Sequence, residues 1–200
     1  MTIVCLGDSV TRGVREGVEP HQTFCQVLER LLRAAGVNAT VINSGIGGHT
    51  TADGWGRFEK DVLGHHPRHV VIMFGLNDSY LYEKKNESAI SLEEFESNLR
   101  RMTDSLKSAG AISILMTANP MYEPTFERKR NATLHPYIEA TRRVARESKS
   151  PLADVYSRFC ELGMEESLQN FLTDGMHPNP KGNEVIARML FEVLRDPACL

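Results

Sequence analysis

The sequence has no surplus of positive charge: 23 Lys and Arg stand against 26 Asp and Glu, for a net charge of −3. Nucleic-acid affinity comes mainly from clustered cations that neutralise phosphates, so that partner class is not expected. Cysteine is scarce, and Cys5, Cys25, Cys160 and Cys199 form neither a CxxC pair nor a Cys/His cluster. This argues against a zinc site and a disulfide framework, and free thiols are expected. No apolar run approaches the ~18 residues of a membrane-spanning helix. The chain enters an apolar run at Ile3 without the basic and long apolar regions of a secretion signal, which favours the cytoplasm; a signal removed beforehand would leave the same start. Repeats, low-complexity stretches and Pro/Ser-rich linkers are also missing, so residues 1–200 read as a single domain. Its composition, 41% hydrophobic and 24% charged, excludes disorder, collagen and coiled coil as descriptions of the whole chain.

Short apolar or β-branched runs at 3–6, 39–43, 69–74, 112–117 and, more weakly, 152–156 alternate with segments of helical period. That alternation predicts an α/β fold, a parallel sheet with helices on both faces. Phe24, Val27, Leu28, Leu31, Leu32 and Ala35 mark one helix face, closed by Gly36. Leu92, Phe95, Leu99, Met102 and Leu106 mark a second, with Ser91 and Glu94 spaced as a capping box and Gly110 beyond its end. Tyr137, Ile138, Thr141, Val144 and Ala145 suggest a third, and the stripe from Val185 to Leu194 a last one after Pro180. Trp55, Phe58 and Val62 fit a shorter helix. Connections at 79–90 and 119–136 are longer than a scaffold needs, and such loops often shape sites.

In an open parallel sheet, ligands bind outside the carboxyl ends of the strands. The residues found there are Gly7-Asp8-Ser9 after the first strand, Ser44-Gly45-Ile46-Gly47-Gly48 after the second and Gly75-Leu76-Asn77-Asp78 after the third. Asp174-Gly175-Met176-His177-Pro178 precedes the last helix. A serine hydroxyl needs an adjacent base, usually a histidine oriented by a carboxylate, and Ser9, His177 and Asp174 can supply those roles. Asp8 is a rival orienter, better suited to tying its own turn. Backbone N–H groups of Ser9 and Gly48 and the Asn77 amide can form an oxyanion hole. Alone, each block has a plain structural explanation: a helix cap, a tight glycine turn, a closed loop, a packed histidine. The glycines lack the Lys of a phosphate loop. Their joint occurrence at strand ends favours catalysis. The rival from another class is a noncatalytic flavodoxin-like module holding a sugar or phosphate, which leaves Asp174 and His177 without a task. His21, His65, His66, His69 and His135 show no metal-like spacing and read as structural or surface residues.

These four blocks, in this order from Gly7 to Pro178, resemble those of the SGNH hydrolases, also called GDSL esterases and lipases. The resemblance implies a three-layer α/β/α, flavodoxin-like fold with about five parallel strands. It implies a serine esterase acting through an acyl-enzyme on carboxylic esters, with short-chain acyl or O-acetyl groups favoured and thioesterase or lysophospholipase activity as the alternative. It further implies no metal or organic cofactor and a small-molecule or carbohydrate ester as partner. Position by position, Ser9 matches the nucleophile, Gly48 and Asn77 the oxyanion donors, and Asp174 with His177 the remaining triad. Gly48 is chosen over Gly47 because it directly precedes His49-Thr50, where the family often has Asp or Asn and Thr. Val10 replaces a frequent Leu, and His49 reads as a surface residue at a helix start. The turn at Ala118-Asn119-Pro120, flanked by Met116 and Met121, is expected at the site rim.

Overall fold

In the computed structural model, which describes residues 1–82, 87–125 and 130–196, five strands form a fully parallel sheet. They are β1 (Thr2–Gly7), β2 (Thr40–Gly45), β3 (His69–Met73), β6 (Ile112–Met116) and β7 (Leu152–Ala153), in the order β2-β1-β3-β6-β7. A two-stranded antiparallel ribbon, β4 (Leu81–Tyr82) with β5 (Glu87–Ser88), stands apart from it. The helices are α1 (Ser9–Arg12), α2 (Phe24–Ala34), α3 (Thr51–Gly56), α4 (Phe58–Asp61), α5 (Leu92–Ser108), α6 (Arg130–Ser148), α7 (Val155–Glu165) and α8 (Pro180–Arg195). α2 packs against α8 and α5 against α6, giving the three-layer α/β/α arrangement of a flavodoxin-like fold.

Cover on both faces explains why β1 and β3 read as unbroken apolar runs: all of residues 3–7 and 69–73 are buried. Because the second strand flanks the first on one side and the third on the other, the strand order reverses between β1 and β3. That switch point opens a crevice at the carboxyl ends of both.

Helix ends follow local chemistry. α2 closes with Gly36 at φ +79° and a Val37 N–H bond to the Leu32 carbonyl, and α5 closes the same way with Gly110 at φ +72°. α6 uses this geometry without glycine: Lys149 takes φ +57° and Ser150 N–H bonds to the Ala145 carbonyl.

Three expectations need correction. The 152–156 run is a two-residue strand followed by Asp154, whose carboxylate accepts the Ser157 N–H as the cap of α7. Val155, Phe159 and Leu162 then form the buried stripe of that helix. The long connection after β6 ends at Arg130 and not at Pro136, which lies inside α6. Proline removes one helical bond, but Pro136 and Ala132, the residue whose carbonyl is freed, are both exposed, so water can satisfy the vacancy. The single short helix expected around Trp55 is two, α3 and α4, separated at Arg57. Cys199 and part of each long connection, residues 83–86 and 126–129, lie outside the described residues.

Candidate active site

The Ser9 turn begins where β1 must stop close to β3. A Cβ on Gly7 would lie 2.6 Å from the Met73 carbonyl oxygen, so a larger residue would force the strands apart. Asp8, fully buried, caps α1 by accepting the Val10 N–H at 2.8 Å. Its carboxylate serves the turn, and Ser9, the first residue of α1, remains half-buried.

The second turn comes from the far end of the chain. Asp174 Oδ1 accepts the N–H groups of Met176 and His177 at 3.1 and 2.9 Å, and its Oδ2 lies 2.6 Å from His177 Nδ1. Gly175 at φ +81° permits this tight fold-back. His177 Nε2 lies 2.8 Å from Ser9 Oγ. The tautomer consistent with both contacts has Nδ1–H donating to the carboxylate and Nε2 accepting the serine O–H.

Buried amides bring together groups 168 residues apart. Asn183 on α8 accepts the Phe24 N–H with its Oδ1 at 2.9 Å and donates its amide to the Pro178 and Asn179 carbonyls. It thereby joins the start of α2 to the chain just past His177. Asn119, 1% exposed, donates to the Met176 carbonyl at 2.7 Å. Tyr122 N–H donates to the Gly175 carbonyl at 2.7 Å, and Thr125 packs over Gly175. The turn expected at the rim is thus a buttress for the turn carrying Asp174 and His177. Asn183 escaped the sequence reading because a lone asparagine carries no pattern, and Asn119 was read only as part of the rim turn.

Gly48 and Asn77 lie in the loops that follow β2 and β3, the strands on either side of β1. Gly48 is exposed with φ +81°, and the Asn77 amide donates to the His49 carbonyl at 2.9 Å, tying the loop after β3 to the loop after β2. An amide has two N–H donors, so one stays available. Asp78 reinforces the join: it accepts the Thr51 N–H and hydroxyl at 2.8 and 2.6 Å and the Gly75 N–H at 3.1 Å. His49 is half-buried with Nδ1 shielded from solvent, and Thr50 caps α3, so His49 is not the surface helix-start residue expected.

The profile of the GDSL-like Lipase/Acylhydrolase family matches residues 5–185. The chain belongs to this family. It is 31% identical over 218 residues to the Uncharacterized lipoprotein YqeF of Bacillus subtilis (strain 168), covering 97% of this chain and 88% of that one. It is also 31% identical to an Acetylxylan esterase of Geobacillus stearothermophilus over 93% of this chain and 90% of that one. Among solved structures, the lipase/acylhydrolase from Enterococcus faecalis superposes with a TM-score of 0.82 at 28% identity, covering 96% and 94% of the two chains. This GDSL-family chain is accordingly an ester hydrolase. Among the described residues, no helix is long and apolar enough to cross a membrane.

Electrostatics differ across the site of this GDSL-family hydrolase. Burial holds His177 below the usual histidine value, opposed by its bond to Asp174 and assisted by Arg15 and Arg12. Burial alone would raise Asp174, but hydrogen bonds from His177 and Met176 outweigh it and keep the carboxyl below its ordinary value. Behind the turn, burial pushes Asp8 up to about 7 and Asp78 up to about 6.

Proposed function

We propose that this GDSL-family hydrolase cleaves carboxylic esters with small acyl groups, acetyl foremost, through an acyl-enzyme on Ser9. The supporting observation is the continuous chain from Asp174 Oδ2 to His177, 2.6 Å, and from His177 to Ser9 Oγ, 2.8 Å. His177 Nε2 takes the Ser9 proton as Oγ attacks the ester carbonyl, and the resulting oxyanion is received by the N–H groups of Ser9 and Gly48 and the Asn77 amide. The imidazolium then gives its proton to the departing alcohol, leaving the acyl group on Ser9. Water, deprotonated by His177, attacks this ester, and the proton returns to Ser9 as the acid leaves. Asp174 stays ionised throughout and holds the ring in place.

The acyl preference is supported by the acetylxylan esterase relative, which also suggests an O-acetylated carbohydrate as the alcohol side. Turnover of acetyl, butyryl and octanoyl p-nitrophenyl esters tests the acyl preference, with acetyl expected fastest and octanoyl slowest; a preference for octanoyl would overturn it. A fluorophosphonate should add to the wild type and not to Ser9→Ala, read by intact mass. Absence of an adduct on folded wild type with the probe in excess would count against the nucleophile assignment.

A further inference from the structure

Arg15 stands outside the four sequence blocks, yet its guanidinium reaches both halves of the candidate site. Nη2 donates to the Ser9 carbonyl at 2.7 Å, Nε to the Gly13 carbonyl at 3.2 Å, and Nη1 lies 3.9 Å from Asp174 Oδ2. That carboxylate oxygen is also the one bonded to His177 Nδ1. The Arg15 side chain is 13% exposed against 53% for Asp174, so the cation is the sheltered member of the pair. Its backbone is held in turn by a two-way bridge to Val18, itself in the core. The Ser9 carbonyl already accepts the Gly13 N–H that closes α1. A second, charged donor on one carbonyl is a stronger tie than the fold of a four-residue helix requires.

We propose that Arg15 is a positioning residue for ester hydrolysis, clipping the Ser9 turn to the Asp174–His177 turn and setting a fixed positive charge beside the triad. The proposal rests on the serine-hydrolase assignment above. Charged groups facing His177 are Asp174 on its own turn, Arg12 on α1 and Arg15 after α1. The Arg15 cation favours the ionised Asp174 carboxylate and disfavours the imidazolium, so the ground state holds a neutral ring able to accept the serine proton. The clip has a separate effect: it limits relative motion of two turns whose hydroxyl and ring must stay within hydrogen-bond reach.

Two variants separate these effects. Arg15→Gln removes the charge; kcat should fall roughly ten-fold with KM little changed, and the acid limb of kcat/KM should move up by roughly half a pH unit or more. Arg15→Lys keeps the charge but cannot reach a carbonyl and a carboxylate as a planar fork does. It should keep the limb near its wild-type position while losing part of kcat. Melting temperatures and fluorophosphonate labelling against pH accompany each variant. An acid limb that does not move in folded Arg15→Gln overturns the proposal, as does a kcat loss that only tracks lost stability. If the wild type is not labelled at Ser9, the hydrolase assignment itself fails, a different result from labelling with an unmoved limb.

Discussion

Gly175 and Gly48 share a φ of +81° but not their surroundings, so a pair of alanine variants separates backbone strain from crowding. A Cβ on Gly48 meets nothing within 4 Å, so Gly48→Ala carries only the left-handed penalty of a side chain, roughly 1–2 kcal/mol. A Cβ on Gly175 would lie 2.5 Å from Thr125 Oγ1 and 2.7 Å from Thr125 Cβ, both inside contact distance. Gly175→Ala therefore adds a packing conflict of about 1–3 kcal/mol, for a total of roughly 2–5 kcal/mol. At this chain length, each kcal/mol lowers Tm by roughly 2–4 °C. Relief requires movement of either the Thr125 turn or the turn carrying Asp174 and His177. The first breaks the buttress and the second displaces the ring, so kcat should fall as well. Thr125→Gly removes every atom in conflict, and a double-mutant cycle with Gly175→Ala should return a coupling of about 1–3 kcal/mol while restoring part of kcat. Equal Tm losses for Gly48→Ala and Gly175→Ala, with no coupling to position 125, would refute the crowding argument.

Activity should rise with pH as His177 loses its proton, with an apparent pKa below the ordinary value of 6.5 because burial disfavours the imidazolium; initial rates across pH 4–9 check this, and a midpoint above 6.5 counts against it. Lys149→Gly should stabilise the protein by roughly 0.5–1 kcal/mol, since lysine occupies a left-handed helix-closing position at φ +57°; urea unfolding reads the change. Asp8 has a folded pKa raised from 3.8 to about 7, so the folded state holds the proton more tightly than the unfolded chain. Its contribution is fully present below about 3.8 and is lost as pH rises through about 7. Asp8→Asn should flatten that part of the stability profile, measured as Tm between pH 4 and 8.

Where a feature repeats or breaks a strong pattern, it was legible from residues alone. Buried strands β1 and β3 announce themselves as apolar runs, and the site blocks fall at strand ends because a parallel sheet places them there. α7 was also written in the chain, with Asp154 three residues before Ser157 and an apolar residue every three or four positions. The β-branched start at Val155 and the short apolar stretch before it obscured the switch of period. Pro136 misled in the opposite direction: its rule concerns a lost hydrogen bond, and on a solvent-facing stripe water absorbs that loss. Lys149 could not be foreseen as a helix terminus, since lysine does not by itself signal a left-handed residue.

The least legible residues are those that bring the two ends of the chain together. β1 lies beside the switch point, so Ser9 faces the crevice by topology alone. His177 has no strand beneath it; its turn hangs between the short 3-10 helix at Leu168–Phe171 and α8. Its location depends on α8 packing on α2, and Asn183 connects the ends of those helices through one buried amide, 1% exposed. Such a group is costly to bury unless its donors and acceptor are filled, and here all are engaged with main chain. The same asparagine replaced by leucine would leave the Phe24 N–H and the Pro178 carbonyl unpaired at the hinge between the helix pair and the His177 turn. Asn183→Leu should therefore lower kcat as well as stability, although it lies outside every motif and touches neither Ser9 nor His177. A variant that loses stability but keeps wild-type kcat at a temperature where it is fully folded would show that the turn holds its place without this amide.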